Sequence, residues 1–259
     1  MNESKIEDAA KRLINSLETG IPCAPVRELI GETDIATAYE IQRLVNQHRI
    51  AHGAVVVGSK IGLTSFAVQK QLGVDQPDFG LIFADKEVKN GGSLPIEAVI
   101  QPKAEAEVAF VLKESLDGEI TEESVAHAVD YAVAAIEIVG SRVLNWDIRI
   151  TDTVADNASA SHFVLGDRPV KLSDVALHEV GMKLYKNGQL VSEGNGAACL
   201  GSPLKALQWL AETMKSFGNP LQKGDVILSG ALGPMVAAEK GDVFEADIDV
   251  LGKVTFGFN

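Results

Sequence analysis

The chain has 259 residues, enough for one large domain or two small ones, and its 46% hydrophobic and 23% charged residues are those of an ordinary globular protein. A net charge of −13 argues against nucleic acid, whose phosphates need a basic face, and against an anionic membrane surface. Two cysteines, Cys23 and Cys199, are too few for a disulfide framework or a soft-metal site. No apolar run approaches the roughly 20 residues that span a bilayer. The opening MNESKIEDAAKRL lacks the pattern of a secretory leader, so a soluble cytoplasmic protein is expected.

In chain order, Ser4 and Glu7 form a capping-box pattern, and Ile6, Ala9, Ala10, Leu13, Ile14 and Leu17 repeat at helical spacing as far as Gly20. After Pro22 and Pro25 a second helix is predicted from about Asp34 to His52, ended by Gly53, and the two helices should form a cover packed on the rest of the chain. From Ala54 the character turns to strand, with Lys60 flanked by Gly58 and Gly62. Glycines there let backbone approach closely, although a lysine at a strand end often only snorkels. A short helix is predicted over Ser65 to Leu72, and Asp78, after a proline, reads by default as a turn residue. Asn90-Gly91-Gly92 turns into a strand opening near Val99, and Thr121 caps a helix leading into a further strand, Ala132 to Val139. The last third is mostly strand. Asn187-Gly188 turns one hairpin there, and a helix runs from Ser202-Pro203 to Gly218. Ser229 to Pro234 reads as a glycine-rich loop of close approach, without dinucleotide or Walker context. The expected fold is therefore α+β, with a helical N-terminal region over residues 1–53 and a β-rich domain, rolled or barrel-like, over residues 54–259.

The chemistry concentrates in two apolar stretches that carry acids. In QPKAEAEVAFV, Gln101 to Val111, period-two alternation sends Glu105 and Glu107 to one face and Ala106, Val108 and Phe110 toward the core. In AVAAIEIV a single acid, Glu137, interrupts the apolar run. A pair of glutamates on a strand can be no more than a solvated face, but three acids embedded in small and β-branched residues suit an oxygen-only site for a hard divalent cation. Unless a cation sits between them, burial should force protons onto some of them. The segment from Arg142 through Asp152, Thr153, Asp156, Asn157 and Ser159 is the densest polar group, either a capped loop or a set of donors for an anionic substrate. His48, His52, His127, His162 and His178 show no nucleophile partner, and neither C-x-x-C nor G-x-S-x-G occurs. What remains is a carboxylate-held cation, a lysine, an aspartate and donors. That kit suits a substrate offering a carboxylate beside a carbonyl.

Together GSKIGLTS, QLGVDQPDFG, QPKAEAEVAFVL, AIEIVGSR, VADNAS and LSGALGPMV resemble, in this order and over essentially the whole chain, the 2-hydroxypenta-2,4-dienoate (2-keto-4-pentenoate) hydratases of the fumarylacetoacetase superfamily. The resemblance implies a Mg²⁺ or Mn²⁺ requirement, a homo-oligomer, a small 2-oxo or 2-hydroxy dienoic acid as substrate and a place in the meta-cleavage breakdown of aromatic compounds. It also allows association with another enzyme of that pathway. It assigns Glu105, Glu107 and Glu137 to the metal, Lys60 and Asp78 to catalysis, and Ser159 to the substrate. Leu63, Arg142, Asn157 and Gly230 complete the expected substrate contacts. The 4-oxalocrotonate decarboxylases share the E-x-E, the lysine and the VADNAS stretch; Asp78 and SGALGP follow the hydratase form. Ala104 stands where the family usually has a larger aliphatic residue. A carbon–carbon hydrolase would need a histidine near Lys60 to Asp78, and a non-catalytic, metal-braced oligomer subunit would need only the ligands.

Overall fold

The computed structural model describes residues 3–66, 69 and 76–259. The helix expected over Ser65 to Leu72 falls mostly on residues 67, 68 and 70–75, outside those described. The chain opens with α1 (Glu3–Thr19), a single turn α2 (Arg27–Ile30) and α3 (Ile35–Ala51), whose first turn is capped by the Asp34 carboxylate accepting from Thr37 N at 3.1 Å. α1 starts at Glu3, so Ser4 lies inside the helix instead of capping it.

Strands come next: β1 (Val56–Gly62), β2 (Asp78–Phe83), the short β3 (Glu87–Val88) and β4 (Gly92–Leu94), and β5 (Lys103–Leu112). β5 opens later than the sequence suggests because Pro102 lacks a donor and Gln101 sits at φ +52, so pairing begins at Lys103. The helix α4 (Glu122–Ala128), capped by Thr121, runs straight into β6 (Val129–Val139). Beyond it lie α5 (Ile150–Ala155), β7 (Ala160–Leu165), β8 (Gly181–Lys186) and β9 (Gln189–Asn195). The last elements are α6 (Pro203–Ser216), β10 (Val226–Ala231), β11 (Val236–Ala237), β12 (Val243–Ile248) and β13 (Gly252–Phe258). The β8–β9 turn is Asn187-Gly188 with φ +54 and +77, the left-handed pair that matches strand twist in a two-residue hairpin.

The fold is α+β. The larger sheet, ordered β2-β1-β10-β5-β6-β7-β3 with β11 against β5, curls into a half-barrel, and a second sheet runs β4-β13-β12-β8-β9. Phe110, Val108 and Ile136 from the first sheet, Phe244, Phe256 and Leu184 from the second, and Leu207 and Leu210 of α6 share one apolar core. A second core joins α1 and α3 through Ala9, Leu13, Ala38 and Ile41 to Ile150 and Val154 of α5. The helical cover is thus locked to the segment after β6. Asp152 reinforces this lock, accepting from Arg27 Nη1 at 2.6 Å and from Arg27 N at 2.9 Å. Because β5 and β6 alternate strictly, their Ala106, Val108, Ile136 and Ile138 face the shared core while their acids turn to the opposite face.

No described helix is long and apolar enough to cross a membrane.

Candidate metal centre

The antiparallel register sets Glu105 directly opposite Glu137, with Glu107 one side-chain step further along the same face. Carboxylate oxygens of the three lie within 4.8 Å of one another, although Glu137 stands 30 residues beyond Glu107 in sequence. Glu107 and Glu137 are almost wholly buried, at 0% and 1% exposure. Gly230 N donates to Glu107 Oε2 at 2.8 Å, and Lys60 Nζ lies 3.2 Å from Glu137 Oε2. Glu107 Oε1 and both oxygens of Glu137 accept no hydrogen bond among the described residues. Three buried carboxylates with oxygens left over fit a hard divalent cation, which takes oxygen ligands and removes the cost of crowding like charges.

That cost shows in the protonation of the metal-free site. Burial, together with the Glu137 charge, pushes Glu105 up to about 7 against the pull of Lys60. Burial and the neighbouring carboxylates drive Glu107 well above its usual range, and burial raises Glu137 as well, opposed by Lys60. Folded protein therefore holds protons between about pH 4.5 and pH 7 that the unfolded chain has released. The stability those protons contribute at low pH is lost as pH rises through that window, and a cation must displace them. Cation affinity is expected to rise steadily from pH 5 to about 7 with net proton release, read by titration calorimetry in buffers of different ionisation enthalpy. A pH-independent affinity with no proton release would contradict the site.

A cavity of about 280 Å³ opens onto Glu105 and is lined by Lys60, Leu63, Asp78, Thr153, Ala158 and Ser159 on one part of its wall. Lys103, Val139, Trp146, Ile148 and Met235 form the rest of the wall, beside Gly62. Lys60 sits at the pairing of β1 with Gly80 of β2, and its ammonium donates to Ala158 O at 2.9 Å. Burial alone would push Lys60 down, but the charges of Glu137, Asp78, Glu105 and Glu107 hold it above its ordinary range, so it stays protonated. Asp78 is no turn residue: it opens β2, 1% exposed, with neither carboxylate oxygen hydrogen-bonded among the described residues. Burial lifts it to about 6, with Lys60 pulling down and Glu137 pushing up. Gly62 is needed between the two, because a Cβ there would lie 2.2 Å from Asp78 Oδ1 and 3.4 Å from Lys60 Nζ. Gly58 faces Val226 instead, where a Cβ would fall 1.8 Å from the carbonyl oxygen.

The other expected substrate contacts divide. Ser159 lines the cavity with its Oγ 3.3 Å from Thr153 Oγ1, and Leu63, at φ +56, lines it too. Arg142 does not face it. Its guanidinium is bound to the Asp156 carboxylate and carbonyl and donates to Ala160 O at 3.0 Å, while the backbone N donates to Asp156 Oδ2 at 2.9 Å. Asn157 turns away as well, bridging Leu81 N and Leu81 O at 2.8 Å each and accepting from Asn46 Nδ2 at 2.9 Å. Gly230, in β10 at φ +102, stands behind Glu107 and holds it through backbone. Of the five histidines, His162 is buried, and desolvation drives it down to about 3, so it stays neutral.

The matched family description is Fumarylacetoacetate (FAA) hydrolase C-terminal, over residues 64–258. The chain belongs to the fumarylacetoacetate hydrolase family. Among the relatives of this family member is the TodF product hydratase of Pseudomonas putida, 52% identical over 98% of this chain and 95% of that protein. A 2-keto-4-pentenoate hydratase of Paraburkholderia xenovorans is 49% identical over 100% of this chain and 96% of its own length. Among solved structures of the family's fold, 4-oxalocrotonate decarboxylase from Pseudomonas putida G7, complexed with magnesium and adipate, matches with TM-score 0.95 at 32% identity, covering 100% of this chain and 99% of that one. Fumarylpyruvate hydrolase from Pseudomonas aeruginosa, complexed with Mn²⁺ and pyruvate, shares the fold at TM-score 0.62 and 16% identity, over 77% and 88% of the two chains.

Sequence reasoning passed over Lys103, Trp146, Ile148, Met235 and the Ala158 carbonyl. Lys103 carried a usable signal, since it stands two residues before Glu105 and so shares its face. The backbone acceptor at Ala158 carried none, because only the left-handed turn at φ +51 aims it at Lys60.

Proposed function

We propose that this chain is a hydro-lyase that adds water to 2-hydroxypenta-2,4-dienoate (2-oxopent-4-enoate), giving 4-hydroxy-2-oxopentanoate, in the meta-cleavage catabolism of aromatic compounds. The observation that carries the reading is Asp78: a buried carboxyl lifted to about 6, neither oxygen of which accepts a hydrogen bond among the described residues, on a cavity wall with protonated Lys60 and Glu105. The half-identical relatives named 2-keto-4-pentenoate hydratase support it.

Glu105, Glu107 and Glu137 hold Mg²⁺ or Mn²⁺, which when bound supplies a Lewis acid for a 2-oxo acid. Ketonisation moves the proton of the 2-hydroxyl to C5 and leaves C4 electrophilic. Asp78, as carboxylate, takes a proton from water as its oxygen bonds to C4, and the proton it has taken is then returned at C3. Lys60 keeps its charge throughout, fixed by Ala158 O and Glu137, and offsets the negative charge that develops on the enolate. Ser159 and Thr153 offer hydroxyls to the substrate, and Leu63 packs on it. The chain works as a homo-oligomer in the cytoplasm, associated with another enzyme of the pathway; the family resemblance is the support for this.

Enzymically generated 2-hydroxypentadienoate is expected to lose its absorbance only when Mg²⁺ or Mn²⁺ is present, without gas release. Release of CO₂ from 2-oxo-3-hexenedioate at a higher kcat/KM than hydration of the dienoate would replace this reading by decarboxylation.

A further inference from the structure

Lys103 lies one side-chain step beyond Glu105 on the same face of β5 and lines the cavity. Its ammonium rests 4.1 Å from the centre of the Trp146 ring. No carboxylate stands within ion-pair distance of it, and it donates no hydrogen bond, among the described residues. Beside so many acids this is unusual, because a flexible lysine would normally swing onto one of them.

The platform beneath it is built at some cost. Gln101, Asn145 and Trp146 are all non-glycine residues with left-handed backbone, at φ +52, +58 and +55. Trp146 Nε1 donates to Gln101 O at 2.9 Å, and the Gln101 side chain donates to Ser141 O at 2.9 Å and to Val143 O at 2.8 Å while accepting from Asn145 N at 2.6 Å. These bonds fix the indole, and the indole fixes the ammonium at the cavity wall. Among the described residues, except for Lys60, already engaged by Glu137 and Ala158, every other charged group lining that cavity is an acid. With the three glutamates committed to a cation, Lys103 is the one ammonium on the described wall left free to add a charge-assisted hydrogen bond to an anionic ligand.

We propose that Lys103 receives the carboxylate end of the substrate, with Trp146 as the platform that holds it ready. This rests on the reading of the site as one for a 2-oxo acid. The carboxylate then lies toward Lys103 and Trp146, and the carbon tail runs toward Leu63, Lys60 and Asp78.

The test is binding of 2-oxopentanoate, which cannot be hydrated, to the Mg²⁺-loaded protein by calorimetry, beside its neutral amide. Lys103→Met is expected to weaken 2-oxopentanoate about tenfold or more, the loss of one charge-assisted hydrogen bond, and to leave the amide unchanged. Lys103→Arg should retain most of the affinity, and Trp146→Ala should lose part of it. In turnover the Lys103→Met loss should fall on KM more than on kcat. Unchanged 2-oxopentanoate affinity, equal weakening of acid and amide, or a loss confined to the dicarboxylate 2-oxoadipate would each overturn the assignment. Charge-selective binding without any hydration of the dienoate would sink the proposed activity and leave the role of Lys103 standing.

Discussion

Glu107→Gln is expected to remove tight cation binding and to lower hydration by about 10³ or more, while the metal-free protein becomes no less stable than the parent. The activity loss follows from withdrawing a Lewis acid worth several kcal/mol, at about 1.4 kcal/mol for each factor of ten. The stability half follows from burial: Glu107 is 0% exposed, its Oε1 accepts no hydrogen bond among the described residues, and the neighbouring carboxylates oppose its ionisation. Glutamine keeps an oxygen for Gly230 N, 2.8 Å away in the parent, and carries no charge to desolvate. Thermal melts with and without Mg²⁺ separate the two effects. The parent should gain in Tm with added cation, by mass action on the folded state, and the variant should not. A variant that still binds the cation as tightly as the parent would remove Glu107 from the site.

The acids of that site were legible in the sequence because strand alternation is a local property: two residues apart on β5 means one face. What alternation cannot supply is register, and it is the Glu105–Glu137 pairing across β5 and β6 that brings the third carboxylate in. Register here depends on long-range packing of Val108, Phe110, Ile136 and Ile138 against the second sheet. The polar group from Arg142 to Ser159 was legible only as a group. A segment with so little regular pairing must satisfy its backbone with side chains, so Arg142, Asp156 and Asn157 tie the segment to itself and to Leu81, while Thr153 and Ser159 face the cavity. Composition does not distinguish the two uses. The short strands β3, β4 and β11 leave no trace in the sequence either, being only 2, 3 and 2 residues long and defined by their partners.

Asp78→Asn should retain the fold and the cation but lose a factor of about 10²–10⁴ in kcat, the usual contribution of one positioned acid–base group. Asparagine matches aspartate in shape, and Asp78 makes no hydrogen bond among the described residues that the change would break. The pH profile makes the assignment specific. To take a proton from water Asp78 must be ionised, so the parent's rate should rise with pH through its pKa. Burial lifts that value to about 6 and Lys60 pulls it down. A divalent cation nearby adds to the pull of Lys60, which puts the acid limb at or below pH 6. Loss of cation at low pH also depresses the rate, through protonation of Glu105 and Glu107, so the profile must be taken at saturating Mg²⁺, where added cation no longer changes it. Under that condition the limb belongs to Asp78 and should vanish in Asp78→Asn, whose residual rate becomes flat from pH 5 to 7. Near-normal hydration by the variant, or a limb that survives the substitution, would hand the proton to another group. Lys60 is a poor candidate for it: four carboxylates keep its ammonium charged across the whole range.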